Sequence, residues 1–386
     1  MIRTLNFALL GCGRIAKRHA ELLSSQSFRM RGAKLVAVCD IQESKARNFA
    51  GRYGIPGFTD FHAMMTTMGD DIDVVNVLTP SGMHASNTME VAGYCKHVVV
   101  EKPMALRIKD GESMIKACKQ AGVRLFIVQQ NRFNLPIQQL YKAVKKGRFG
   151  RIALATARVR WCRDQSYYNQ DQWRGTWRWD GGAFSNQASH HIDLLNWLVG
   201  DVDAVSAYTK RQLVDIEAED TAVAIMKFRN GALGVIEATT ASRPNDLEAS
   251  VSILGEHGSV VIGGFAANRI ETWQFYDSRP EDEHILTCCN ENPSDVYGFG
   301  HSKYLSHVVE SILSGSPALV DGIEGLKSLS IIAGLYESAC SGQEVRMPFI
   351  QQNSLLGRQS SIAPVDRNCV ASPLEPTALK RPAARE

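Results

Sequence analysis

Two side chains in this sequence have the chemistry to move a proton on and off a hydroxyl, and each sits in a run that hints at its surroundings. Lys102 lies in HVVVEKPMAL, residues 97–106, and His190 in NQASHHIDLL, residues 186–195. An imidazole titrates near neutrality unaided. A lysine becomes a base only where burial or a neighbouring cation takes its pKa well below ~10.4. Three valines run into Glu101 and Lys102, which reads as a strand buried on both faces and ended by Pro103, a residue with no N–H for the ladder. Lys102 then stands at the carboxyl end of a buried strand, the edge at which open parallel sheets bind ligands.

For the second run, helical spacing over 186–199 would put Asn186, His190 and Asp193 on one face, leaving Leu194, Leu195 and Leu198 for packing. His191 falls about a quarter-turn away. A metal site is the rival, since His190, His191 and Asp193 include ligand types. Adjacent helical histidines diverge by ~100°, however, and no Cys or HExxH partner accompanies them, so no metal is expected. A core histidine with its hydrogen bonds satisfied is the plainer alternative.

The elements ahead of Lys102 supply a reason for the ligand edge. Residues 5–10, LNFALL, form a strand that enters Gly11-Cys12-Gly13-Arg14-Ile15-Ala16 and a helix. Glycines there allow a tight turn and let the backbone approach a pyrophosphate at the helix N-terminus. A second strand, 34–39, ends at Asp40, near the spacing expected for the acid that holds an adenosine ribose. With Glu43, Asp40 could instead form a capping box. A carboxylate there would face the 2′-phosphate of NADP at a cost of up to ~4 kcal/mol, so NAD is the expected cofactor.

Residues 73–78 form the next strand and lead into Thr79-Pro80-Ser81-Gly82-Met83-His84. That loop could touch the cofactor through Thr79, Pro80 and His84, or simply cap a helix over 83–94 through Ser81. A helix over 109–121 and a strand over 124–129 follow, and the first domain closes near Gln130. Glu101 and Gln130, at strand ends, complete the expected cofactor shell on this side. Strands alternating with helices at these spacings predict an α/β doubly wound parallel (Rossmann) sheet.

Beyond a helix over 136–146 the pattern changes. Segments 151–161, 202–211, 219–229, 232–240, 249–255, 258–263 and 268–276 read as strands with few helices between them, predicting an α+β domain with a mainly antiparallel open sheet over 131–350. Its uncovered face suits a homodimer or homotetramer. Helices over 301–314 and 323–341 close the fold. Residues 351–386 hold four of the thirteen prolines and little periodicity, so a disordered tail is expected.

Residues 158–179 gather Arg158, Arg160, Arg163, Arg174 and Arg178 with Tyr167, Tyr168 and four of the six tryptophans. Such interleaving can bind single-stranded nucleic acid, but a net charge of +3 lacks the basic field that this needs. A nucleotide-sugar offers the same chemistry on a smaller scale, a diphosphate and carboxylate for arginine with flat faces for stacking. Arg160, Arg163, Trp177 and Arg178 are then candidate substrate ligands, with Trp173 and Arg174 against the cofactor. A tryptophan-rich edge packed on the sheet is the alternative.

At 386 residues the chain exceeds the ~250–300 at which single cores stop growing, so two domains are expected. No apolar run approaches the ~20 residues that span a bilayer, and the N-terminal run passes straight into a glycine turn, unlike a cleavable signal. The nine cysteines are odd in number and form no CxxC pair. Buried thiols in a reducing cytoplasm fit better than a disulfide framework or zinc site.

GCGRIA, Asp40, TPSGMH, EKP and GGAFSNQASHHID, in that order, resemble the glucose-fructose oxidoreductase, inositol dehydrogenase and MocA family over about residues 5–348. Within it, WRGTWRWDGG, NQASHHIDLL, EDT at 219–221, GFGH at 298–301 and DGIEGLKSL at 321–329 are similar to the dehydrogenases acting on UDP-2-acetamido-2-deoxy-glucuronate. That resemblance implies oxidation of the sugar 3-hydroxyl to a ketone for surface-polysaccharide precursors, with NADH recycled on the enzyme by 2-oxoglutarate. His190 would be the base, Lys102 the group that orients the hydroxyl and Asn186 a sugar ligand, with the two basic roles exchangeable. Much of the family has aspartate at the position of Asn186, so a carboxylate relay through that position is not expected. A dehydrogenase of a free sugar or cyclitol, and a non-catalytic NAD-binding regulator, are the competing readings.

Overall fold

The computed structural model describes residues 3–292 and 298–358. Its first half alternates as the spacing predicts: β1 (Leu5–Leu10), α1 (Arg14–Ser24), α2 (Gln26–Met30), β2 (Ala33–Cys39), α3 (Glu43–Tyr53), β3 (Gly57–Phe58), α4 (Phe61–Met68), β4 (Val74–Val77), α5 (His84–Gly93), β5 (His97–Val100), α6 (Ile108–Gln120) and β6 (Leu125–Ile127). The six strands are all parallel, in the order β3-β2-β1-β4-β5-β6. Val98, Val99 and Val100 are fully buried, as a strand covered on both faces must be. Helices α4, α5 and α6 cover one face, and α1 covers the other.

The second half contains α7 (Leu135–Lys145), β7 (Ile152–Arg160), α8 (Gln165–Asn169), α9 (Ser189–Val199), β8 (Val202–Lys210), β9 (Thr221–Phe228), β10 (Leu233–Thr239), β11 (Glu248–Gly255), β12 (Gly258–Gly263), β13 (Arg269–Phe275), α10 (Pro280–Cys288), α11 (Gly300–Ser314), α12 (Gly322–Ser341) and β14 (Val345–Arg346). Its eight strands run β13-β12-β11-β7-β10-β9-β8-β14, with only β7 and β10 parallel among the described pairs. Helices α7, α9 and α12 pack on one face to form the largest core. The other face is open, and Tyr208, Val223, Ile225, Leu233, Val235 and Leu254 are exposed on it.

Two arrangements depart from the linear reading. Helix α11 lies late in the chain, yet Tyr304, Leu305, Val308 and Val309 join the core of the parallel sheet beside α1. Residues 351–358, expected to be disordered, are instead packed: Ser354 and Leu356 are fully buried. Glu337 on α12 accepts the backbone N–H groups of Gln352, Asn353 and Ser354, and Gly357 N donates to Trp177 O at 2.8 Å. The rest of that expected tail, 359–386, lies outside the described residues. No helix among the described residues is long and apolar enough to cross a membrane, and the eight described cysteines are all free thiols.

Candidate active site

Between the carboxyl ends of the parallel strands and the 161–190 segment lies a cleft of about 2150 Å³. That is about twice the ~1,000 Å³ upper range of a single small-ligand site, so there is room for a dinucleotide and a second molecule together.

One wall is the glycine turn. Gly11 has φ +101°, and a Cβ there would stand 2.8 Å from the carbonyl of Leu78, so only glycine fits between β1 and β4. A Cβ on Gly13 would meet open space. No side chain caps the start of α1 and no acid lies in its first turn, leaving the N–H groups beyond Gly13, at Arg14 and Ile15, for an anion such as a pyrophosphate. Asp40, at the end of β2, accepts from Cys12 N and from Gln42 N, both at 2.8 Å. Gln42, not Asp40, is the residue that precedes α3, so the capping-box alternative fails and the Asp40 carboxylate lines the cleft beside the glycine turn. These groups fit a dinucleotide.

The 79–84 loop is held shut from both sides. His84 is buried between the carbonyls of Pro103, at 2.8 Å, and Thr79, at 2.9 Å. It ties the loop to the end of β5 with both ring nitrogens facing main-chain oxygens, so what it offers the cleft is its ring edge and not a free nitrogen. Thr79, Pro80 and His84 all line the cleft. Gly82 N donates to Trp179 O at 3.0 Å, and a Cβ on Gly82 would lie 2.3 Å from Arg178 O. The loop therefore clamps directly onto the arginine and tryptophan segment.

At the end of β5, Glu101 accepts from His19 Nε2 at 3.1 Å, and His301 Nε2 lies 3.6 Å away. Burial opposes its ionisation, yet the hydrogen bonds from His19 and His301 hold the carboxyl well below its usual range. Lys102 Nζ donates to the Asn186 main-chain oxygen at 2.7 Å and faces its Oδ1 at 3.4 Å. Burial lowers the lysine's pKa, opposed by the charges of Glu101 and Asp180 and reinforced by Arg174 and Arg163.

His190 reaches the same place from α9. Its Nδ1 pairs with Gln129 Oε1 at 2.8 Å, and because that oxygen can only accept, Nδ1 carries the hydrogen. Nε2 accepts from Gln130 Nε2 at 2.9 Å, while Gln130 Oε1 is buried without a partner among the described residues. Burial first and the charge of Lys102 second hold the imidazolium well below its ordinary range, so His190 stays neutral.

The expected helix over 186–199 is in fact a π-helical turn, Ala183–Gln187, followed by α9. That break places Asn186 and His190 in the cleft but sends Asp193 elsewhere. Asp193 is 1% exposed and bidentate to Arg132 at 2.7 Å, with Ser328 as a further donor. It is a core ion pair, not a substrate ligand. Arg160 also leaves the site: strand alternation puts it beside Arg158 on the open sheet face, where it forks onto Glu237 at 2.6 and 2.7 Å. Trp177 packs edge-on against Tyr336, 5.6 Å between centroids, in the core.

Arg163, Trp173, Arg174 and Arg178 do line the cleft. Arg163 is paired with Asp246 and Arg174 with Asp171, whereas Arg178 stacks over Trp179 at 4.3 Å with no carboxylate partner among the described residues. Sequence reasoning gave no role to Gln129, Asp180, His19 or His301, and placed Trp179 only within the arginine and tryptophan segment. For Gln129 a signal existed, since it follows a parallel strand by two residues, as Lys102 does.

The comparisons with known proteins decide what this arrangement belongs to. Residues 5–129 match the model of the family's NAD-binding Rossmann fold and residues 141–347 that of its C-terminal alpha/beta domain. The chain belongs to the glucose-fructose oxidoreductase, inositol dehydrogenase and MocA family. The WlbA dehydrogenase from Bordetella pertussis, crystallised with NADH and UDP-GlcNAcA, is 44% identical with TM-score 0.86, covering 90% of this chain and 99% of that one. The WlbA dehydrogenase from Chromobacterium violaceum, with the same two ligands, is 42% identical with TM-score 0.83, covering 90% and 97%. Myo-inositol 2-dehydrogenase from Thermotoga maritima is 28% identical over 84% of this chain and 93% of its own. As a member of the family, the protein is an NAD-dependent sugar dehydrogenase.

Proposed function

We propose that this enzyme oxidises the 3-hydroxyl of UDP-2-acetamido-2-deoxy-glucuronate to the 3-keto sugar, in the synthesis of surface-polysaccharide precursors. The observation that carries the reading is Arg178, a cleft arginine stacked on Trp179 and unmatched by any described carboxylate, with Arg163, Trp173 and Arg174 beside it. An arginine left without an anion in a cleft rimmed by aromatic rings suits a diphosphate or uronate carboxylate. The similarity to two dehydrogenases crystallised with UDP-GlcNAcA supports the same substrate.

Bound NAD supplies the hydride acceptor. The chain's own residues deal with the proton and the pose. Lys102 takes the proton from the hydroxyl at Nζ as the carbon–hydrogen pair leaves as hydride and the carbonyl forms. His190, neutral, orients the same hydroxyl at Nε2, where the hydroxyl would take the place of the Gln130 amide as donor. This exchanges the roles suggested by the residue types alone, because burial weakens the histidine as a base while making the lysine a better one. Asn186 holds both the lysine and the sugar.

Recycling by 2-oxoglutarate extends the proposal: hydride returns from the reduced cofactor to the 2-oxo carbon and a proton from protonated Lys102 to its oxygen, giving 2-hydroxyglutarate and restoring the oxidised cofactor and the neutral lysine. Oxidation of NADH on adding 2-oxoglutarate to purified protein tests this, and its absence would remove the step. The open sheet face supports a homodimer or homotetramer, because the exposed apolar rows Tyr208–Val223 and Ile225–Val235 lie side by side in register. Light scattering of the wild type and of Ile225→Lys tests it.

The similarity to an inositol dehydrogenase favours a second reading, oxidation of a free sugar or cyclitol. Calorimetry with UDP separates the two: heat of binding supports the nucleotide-sugar, and none supports the alternative.

A further inference from the structure

Behind Asn186, away from the cleft, stands a carboxylate that neither the resemblance nor the expected mechanism uses. Asp180 is 2% exposed. One of its oxygens accepts from the Asn186 side-chain amide and the other from Gly175 N at 2.8 Å. An ionised carboxylate can only accept, so the amide must turn its N–H₂ toward Asp180 and its oxygen the other way. That other way is toward Lys102 Nζ, 3.4 Å from Oδ1 and 2.7 Å from the main-chain oxygen of the same residue. Both partners of the lysine nitrogen are oxygens that can only accept from it, so charged or neutral it donates to them, and the polarity of the chain carboxylate–amide–amine is set from its buried end.

We propose that Asp180 is a positioning residue for Lys102: through the Asn186 amide it fixes where the lysine nitrogen points and balances its charge in the cleft. The proposal rests on Lys102 acting on the substrate hydroxyl. It also accounts for the turn that carries Asn186. A π-helical turn over Ala183–Gln187 is a local insertion of the kind found at functional sites, and here it sets the Asn186 amide between Asp180 and Lys102.

The electrostatic surroundings agree. The charged and titratable groups facing Lys102 are Glu101, Asp180, Arg174, Arg163, His84 and His190. Glu101 and Asp180 are the acids among them, and Glu101 is already engaged by His19. Burial pushes the Asp180 carboxyl up to about 6, against the pull of Gly175 N, Arg174, Asn186 and Lys102, all of which favour its charged form.

The experiment compares purified wild type with Asp180→Asn by two readouts. Competitive acetylation across pH, quantified at Lys102 by peptide mass spectrometry, reports the acid dissociation of that one amine with no sugar present. Loss of the negative charge disfavours the ammonium, so the Lys102 midpoint is expected to fall by about one pH unit, a tenfold change in its acid constant. Turnover with the best sugar nucleotide is expected to fall about tenfold or more from misplacement of the amine, while the dissociation constant for NAD stays within about threefold. An unmoved midpoint overturns the proposal whatever the sugar proves to be. A moved midpoint with unchanged turnover overturns the positioning role alone. A failure of the substrate reading would leave the acetylation shift intact. Should the asparagine variant not fold, Asp180→Ser carries the same readouts with the same expected and contrary results.

Discussion

Lys102 Nζ donates to the main-chain oxygen of Asn186 across 2.7 Å. That bond joins the end of β5 to the π-turn before α9, so the lysine's position depends on both halves of the fold at once. Substituting it by methionine keeps the length and apolar stem while removing the amine. Lys102→Met is expected to lose about 100-fold or more in turnover with an unchanged unfolding midpoint. Retention of more than about a tenth of wild-type turnover would remove Lys102 from the chemistry.

The Arg132–Asp193 pair gives the opposite kind of outcome. Both side chains are essentially sequestered, at 0% and 1% exposure, and Arg132 also reaches Glu324 at 3.0 Å. Truncating one partner leaves the other charge buried and uncompensated, which costs ~3–5 kcal/mol. Asp193→Ala should therefore lower the urea midpoint strongly, and at low temperature, where it still folds, bind sugar nucleotide with wild-type affinity. A selective loss of substrate affinity would restore Asp193 to the site.

Among the arginines the structure separates two that composition groups together. Arg178→Ala should raise KM for the nucleotide-sugar by about tenfold or more, the loss of one charge-assisted pair. Arg160→Ala, on the open sheet face, should leave KM within about twofold and act, if at all, on assembly. Steady-state kinetics on the two variants decide between this and the reverse.

Glu219 predicts a pH dependence of stability. Burial pushes its carboxyl up to about 7, although Phe184 N and the Tyr336 hydroxyl donate to it. Between its ordinary value of 4.5 and about 7 the folded chain binds a proton that the unfolded chain releases. The stability from this group is therefore complete below its unfolded value and is lost as pH rises through about 7, roughly 3 kcal/mol over the window. Glu219→Gln, which cannot ionise, should flatten the urea midpoint between pH 5 and 8. An identical slope in the two proteins would show that Glu219 does not carry it.

Local signals made the cofactor half legible. Gly11 was readable because a close approach of β1 to β4 admits no Cβ, and Lys102 because a valine run ending in proline can hardly be anything but a buried strand. The parity of β7 was equally available: Arg158 and Arg160 share a face with Thr156, and that face is the open one. What could not be read were partners supplied from a distance. Asp193 meets Arg132 from 61 residues away, and nothing in the local helix pattern shows which acid will be claimed by the core. Asp180 finds Asn186 only through a π-helical turn, which residue spacing does not announce. Residues 351–358 read as tail by composition, yet the Glu337 carboxylate gathers their backbone N–H groups and Leu356 fills a core position.

The most direct test of the whole account follows absorbance at 340 nm when UDP-2-acetamido-2-deoxy-glucuronate is added to protein supplied with NAD. The account predicts a rise equal to the reducible cofactor, reversed on adding 2-oxoglutarate, with no rise from free inositol. A rise with free inositol or an unphosphorylated sugar, and none with the UDP-sugar, would contradict it.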